Sequence, residues 1–106
     1  MTATVSDADL ARVAKAVGHP ARVAILRTLA ARGTCVCGEV VEVVGLAQST
    51  VSQHLKVLRE AGLVTGTPDG ARSCYCLSAG GVAAASDALG ALLTDLGAAA
   101  CHGDCC

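Results

Sequence analysis

The sequence predicts a mainly α-helical domain with one two-stranded β-hairpin. Apolar residues recur at spacings of three and four along most of the chain. Glycines stand where those periodic stretches stop. One pair of short alternating segments flanks Pro68-Asp69-Gly70, a turn signal. The 106 residues leave room for one domain, taken as residues 1–106.

The first helix is expected over residues 6–17. Ser6 caps it, Asp9 sits at the capping-box position, and Leu10, Val13, Ala14 and Val17 form one apolar face. Gly18 ends it. Pro20 opens the second helix at its first position, where a missing N–H costs nothing. Val23, Leu26 (or Ile25), Leu29 and Ala30 repeat at helical spacing, and Gly33 stops the run. Thr34 caps a short third helix over roughly 36–44, closed by Gly45. A fourth helix runs from about Gln48 to Ala61 and ends at Gly62. Its apolar positions are Val51, Leu55 and Leu58. Its other face carries Gln48, Ser49, Ser52, Gln53, Lys56 and Arg59.

Leu63-Val64-Thr65 reads as a strand and Arg72 to Leu77 as its return. A last helix is expected from Gly81, over 81–100. Val82, Ala85, Leu89, Leu92 (with Leu93), Leu96 and Ala100 make a near-heptad seam along it. No later element of the chain can cover that seam, so a second copy is the simplest partner. The apolar set points the same way. It holds 21 Ala, 13 Val and 12 Leu, and Tyr75 is its one aromatic residue. Small side chains bury little area each, so a homodimer sharing a core is expected.

Net charge is −1, unevenly spread. All eight Lys and Arg lie in residues 1–76, and residues 77–106 hold three Asp and no Lys or Arg. A weakly basic body permits nucleic-acid binding without announcing it. No uninterrupted apolar run reaches the roughly 18 residues of a membrane span. Asp87 and Asp95 break the best stretch, 79–100, so no membrane partner is expected. Met1 to Leu10 lacks the basic start and apolar core of a secretion signal, which suggests a cytoplasmic protein with reduced thiols. Seven cysteines cannot all pair within one chain, and metal binding or redox chemistry outranks a disulfide framework. There is no Cys-x-x-Cys, no βαβ pattern and no phosphate loop, so no enzyme is expected.

A short helix, a tight turn and a helix with a polar face make a helix-turn-helix, here residues 36–61, with a wing over 63–77. Gln48, Ser49, Thr50, Ser52 and Gln53 carry short amides and hydroxyls able to reach base edges and phosphates. Lys56 and the wing's Arg72 suit the backbone. His54 is read either as a DNA-facing group or as a half-buried histidine joining two helices, and the second reading is preferred.

Residues 46–64, LAQSTVSQHLKVLREAGLV, resemble the core motif of the ArsR/SmtB family of winged-helix repressors. GHPARVAILRTLAARG (18–33) is similar to that family's second helix, and GARSCYCLS (70–78) to its wing. The match runs in register over about residues 8–78. It implies a homodimeric winged helix-turn-helix of five helices and a hairpin, the last helix dimerising. It also implies an apo dimer on operator DNA, released when a metal, a metalloid or in some members an oxidant reaches its cysteines.

Three cysteine groups are candidates for that signal. Cys35 and Cys37 are placed at the start of the third helix. Arsenite-sensing members carry Cys-Val-Cys there with a further Cys three residues on, a position that is Val40 here. The pair is therefore a secondary candidate. Cys74 and Cys76 share one face by alternation and read as core filler. Cys101, Cys105 and Cys106, in the ending CHGDCC (101–106), lie past the seam with little to pack against. Residues four apart on a helix share a face, and Gly103 softens the chain, so three thiolates can converge. Three soft ligands suit As(III) or Sb(III), whose lone pair fills the fourth direction, whereas zinc prefers a closed tetrahedron. The triad resembles that of one arsenite- and antimonite-responsive subset. The zinc-sensing branch uses Asp/His and His/Glu pairs on the last helix. Here that helix has no Glu and no His before 102, so zinc is unlikely. The expected function is a repressor induced by As(III) or Sb(III). The alternative is a redox- or sulfide-sensing repressor of the same fold, acting through cysteine oxidation.

Overall fold

Ser6 accepts a hydrogen bond from the Asp9 N–H (3.1 Å) and so starts α1, Asp7–Val17. A computed structural model describes residues 6–33, 35–37, 47–67 and 74–100. Pro20 opens α2, Pro20–Ala31, where the His19 Nδ1 accepts the Ala21 N–H (3.0 Å). The strand β1, Cys35–Cys37, follows. Next come α3, Gln48–Glu60, and the strands β2, Val64–Thr67, and β3, Cys74–Leu77. The last element is α4, Ala79–Ala99.

The helices and the sheet share one core. Ile25 and Leu29 from α2, Val51 and Leu58 from α3, and Val64 from β2 are at most 2% exposed. Leu55, Leu63, Tyr75, Ala16 and Ala85 complete it. Each fully buried aliphatic side chain contributes about 1.5–3 kcal/mol over its exposed state. Thr28 lies in this core with its hydroxyl donated to the Ala24 carbonyl (2.8 Å). The predicted inner positions of α3 are the observed ones. In α1 the buried alanine is Ala16, and Ala14 is exposed. In α2 the alternative Ile25 is the buried residue, with Leu26 half-buried and Ala30 exposed.

Two expectations need correction. The sheet keeps the expected hairpin as β2 and β3 but has a third antiparallel strand, in the order β1-β3-β2. Residues 36–37, expected to begin the third helix, belong to its edge strand, and residues 38–44 lie outside the described residues. The physical reason is that two isolated strands are marginal, and β3 has a second edge with which Cys-Val-Cys, alternating around a β-branched residue, can pair. The register sets Cys35 opposite Cys76, Val36 opposite Tyr75 and Cys37 opposite Cys74. On the other edge Val64 faces Leu77, Thr65 faces Cys76, Gly66 faces Tyr75 and Thr67 faces Cys74.

The last helix starts two residues before the predicted position because Ser78 caps it, accepting the Gly81 N–H (3.1 Å). Its first half packs on α1 and buries Ala85. Farther along, Leu92, Leu93 and Leu96 are exposed at 41%, 64% and 56%. By length and composition α4 is also apolar enough to cross a membrane, a feature that counting only uninterrupted runs overlooks. Asp87 and Asp95 are exposed on it.

One close backbone approach fixes where α4 leaves the wing. Gly62 ends α3 with φ +83, and a Cβ on Gly81 would run into the Gly62 carbonyl. Gly81→Ala is therefore expected to lower unfolding free energy by about 1–3 kcal/mol. Urea denaturation measures it, and the urea dependence of that free energy should be unchanged.

Candidate nucleic-acid interface and cysteine sites

The polar face of α3 exists because the opposite face is buried. Val51, Leu55 and Leu58 turn inward, so Ser49, Thr50, Ser52, Gln53 and Lys56 are left exposed. No side chain caps α3: its N-cap is Ala47. A helix N-terminus favours an anion. Ser52, Gln53, Lys56, Arg59 and Tyr75 line one shallow groove between α3 and the wing. Arg59, half-buried, donates from Nη1 to the Gly66 carbonyl of β2 (3.4 Å). That bond ties the reading helix to the wing. Arg72 and the hairpin turn lie outside the described residues, as do Cys101, Cys105 and Cys106. Of Gln48, the backbone alone is described, as the first residue of α3.

His54 sits on the flank of α3 that meets α2. Its Nδ1 lies 3.3 Å from the Arg22 Nη1, and its ring centroid is 4.6 Å from that of His19. Arg22 also donates from Nε to the Ala16 carbonyl (2.6 Å) and from Nη2 to the Lys15 carbonyl (3.1 Å). One guanidinium thus joins the end of α1, α2 and the side of α3. Arginine only donates, so the His54 Nδ1 must accept, which requires it unprotonated. Loss of hydration first, then the charges of His19 and Arg22, lower the His54 pKa below its usual 6.5. The helical pattern could place His54 beside α2, but it gave no sign of Arg22 or His19 as partners.

Cys74 and Cys76 lie in the expected return strand, whereas Cys35 and Cys37, expected at a helix start, lie in the strand paired with it. Tyr75 takes the buried side of β3, 5% exposed, and Cys74 and Cys76 lie half-buried on the other face. They are not core filler. Cys76 forms a disulfide with Cys35 across the β1–β3 pair, and Cys74 is disulfide-bonded as well. A Cys-x-Cys on each of two strands was visible in the sequence. The pairing is hidden because residues 36–37 fall inside the helix expected over roughly 36–44. Among the described residues no group of three or more His, Cys, Asp or Glu could hold a metal ion.

Residues 17–67 match the family model described as a helix-turn-helix domain. The chain is 43% identical over 77 residues to YceK of Bacillus subtilis, an uncharacterized HTH-type transcriptional regulator, covering 71% of this chain and 76% of that protein. It is 37% identical over 78 residues to the HTH-type transcriptional regulator CmtR of Mycobacterium tuberculosis, covering 74% of this chain and 65% of that one. The NMR structure of that cadmium metal-sensor aligns at TM-score 0.55 and 39% identity, over 76% of this chain and 81% of that one. A crystal structure of an ArsR family transcriptional regulator, RHA00566, shares the fold at TM-score 0.74 and 19% identity, covering 93% and 100% of the two chains. The chain belongs to the ArsR/SmtB family of helix-turn-helix regulators. Those curated relatives are named HTH-type transcriptional regulators, and the chain spans a little under two thirds of the length of CmtR.

The histidine contact predicts a pH dependence. A folded-state pKa below 6.5 means that the unfolded chain takes up its proton first as pH falls. The stability tied to neutral His54 is complete above pH 6.5 and is lost as pH falls through the lowered value. Unfolding free energy measured from pH 7.5 to 5 should fall more steeply in the wild type than in His54→Gln. Parallel profiles would contradict the contact.

Proposed function

We propose that this protein is a dimeric repressor that holds operator DNA when its thiols are free and lets go when As(III) or Sb(III) binds three cysteine thiolates. The observation that carries the DNA half is the exposed row of Ser49, Thr50, Ser52, Gln53 and Lys56, opposite the buried Val51, Leu55 and Leu58. Ser52 and Gln53 read base edges and Lys56 and the wing's Arg72 hold phosphates. Gln48, at the helix start, joins the reading set.

The exposed Leu92, Leu93 and Leu96 of α4 support the dimer. A solvent-facing leucine row is costly in a lone chain, and a second copy of the same helix covers it. Two reading helices are then carried at the spacing of successive major grooves, about 34 Å.

Cys101, Cys105 and Cys106 follow that helix directly. Their three thiolates suit a trivalent thiophilic ion, and His102, the direct neighbour of Cys101, would need a strained loop to join them. The relative CmtR is a cadmium metal-sensor, which supports a metal-class signal for this chain. Closing the chain end around such an ion beside α4 shifts the dimer away from the geometry that fits DNA. A hundredfold loss of affinity requires a coupling of about 2.7 kcal/mol between the two sites.

The test is fluorescence anisotropy of the reduced full-length protein on its promoter DNA during titration with As(III), Sb(III) or Zn(II). Release by the two metalloids, with Zn(II) far weaker, is the expected result. The variant carrying Cys101→Ser, Cys105→Ser and Cys106→Ser should stay bound throughout. Release of that variant at wild-type metalloid concentrations would remove the triad from the role.

A further inference from the structure

We propose that the root of the wing is a thiol-oxidation site. Cys35 with Cys76, and Cys37 with Cys74, are two cross-strand dithiols that a hydroperoxide converts to disulfides. The inference rests on β1 and β3 alone, and stands whether or not the terminal triad senses metalloid.

The register is the first argument. The two pairs lie two residues apart on the same antiparallel ladder. Antiparallel pairs alternate between a wide hydrogen-bonded kind and a narrow kind without hydrogen bonds between the two partners. The Cα atoms of Cys35 and Cys76 are 4.0 Å apart, which marks the narrow kind. Parity then assigns Cys37 and Cys74 to the narrow kind too. Residues two apart share a face, so Cys74 and Cys76 belong with Cys35 to one side of the ribbon, and Cys37 holds the register position opposite Cys74. That side is away from the core, because Tyr75 between Cys74 and Cys76 takes the buried side.

Access is the second argument. Cys35 is exposed and Cys74 and Cys76 are half-buried, so a small oxidant reaches them. Disulfide bonds at Cys35, Cys76 and Cys74 show that the backbone accommodates the oxidised state. In a reducing compartment such a pair rests as two thiols, and the disulfide is the transient form.

The chemistry balances without a cofactor. One thiolate attacks the O–O bond of the hydroperoxide, giving a sulfenic acid and releasing the other oxygen as water or an alcohol. The facing thiolate attacks the sulfenic sulfur and expels hydroxide, which leaves as water. Two thiols lose two electrons and two protons, and the peroxide accepts both.

The consequence lies in the chain enclosed. Cys35 and Cys76 are 41 residues apart, and all of α3 and β2 lies between them. Oxidation therefore closes one covalent ring around the DNA-reading helix and the first wing strand. A cross-link over a loop of that length restricts the unfolded chain and raises thermal stability.

The experiment uses full-length protein, reduced, freed of reductant and titrated with hydrogen peroxide. Remaining thiols are alkylated and the linked peptides mapped by mass spectrometry. Expected are Cys35–Cys76 and Cys37–Cys74 links within one chain, both in the wild type and in the triple Cys101→Ser, Cys105→Ser, Cys106→Ser variant. The thermal midpoint should rise by roughly 10 °C on oxidation. Cys35→Ser with Cys76→Ser should lose the first link and keep the second. The proposal is overturned if these four cysteines stay open to alkylation at peroxide doses that oxidise the terminal triad. Linkage to the tail or between chains overturns it as well. So does a single Zn(II) shielding all four from alkylation while peroxide links none of them. Loss of metalloid response in the triple variant leaves this result untouched, so the two proposals fail separately.

Discussion

Burial of one side of α3 is the constraint on which the rest depends. Val51, Leu55 and Leu58 fit into the core formed with Ile25, Leu29, Leu63, Val64 and Tyr75. A helix pinned along that stripe cannot rotate without exposing it. Its polar face is therefore held outward by packing. Rotational freedom of that helix would blur any pattern of hydrogen bonds offered to a base edge. Arg22 adds a second restraint. It holds two carbonyls near the end of α1 and meets His54 on α3.

The central strand β3 does for the wing what the core does for α3. It pairs with β1 on one edge and with β2 on the other. Tyr75 is buried beneath it and shares a groove with Ser52, Gln53, Lys56 and Arg59. Arg59 closes the circuit by bonding the Gly66 carbonyl. The wing and the reading helix are thus one mechanical unit, and the cysteines of β1 and β3 lie at its base. The apolar end of α4 is a separate device, open on the exposed side of the molecule.

The helix ends, the inner positions of α3 and the wing strands were legible because they rest on local signals. Caps, glycines and a spacing of three and four act within a few residues. The strand at Cys35–Cys37 was not legible for the opposite reason. Three residues carry too little periodicity to choose between helix and strand, and their partner lies some 40 residues on. Sheet preference there is set by the partner edge rather than by Cys-Val-Cys itself. The same non-local pairing decides the fate of four cysteines, so composition could count them but not match them. Arg22 and His54 were hidden similarly, since an ordinary surface arginine and this one look alike until α2 and α3 are packed.

The most direct measurement compares DNA binding by the reduced wild type and by Ser52→Ala with Gln53→Ala. Both proteins are titrated on operator duplex and on a scrambled duplex at several salt concentrations. Base contacts carry discrimination, whereas phosphate contacts carry the salt dependence. The account predicts that the variant loses affinity for the operator by about tenfold or more, keeps its affinity for the scrambled duplex and keeps its salt slope. Equal losses on both duplexes, or none on the operator, would contradict a reading role for the exposed face of α3.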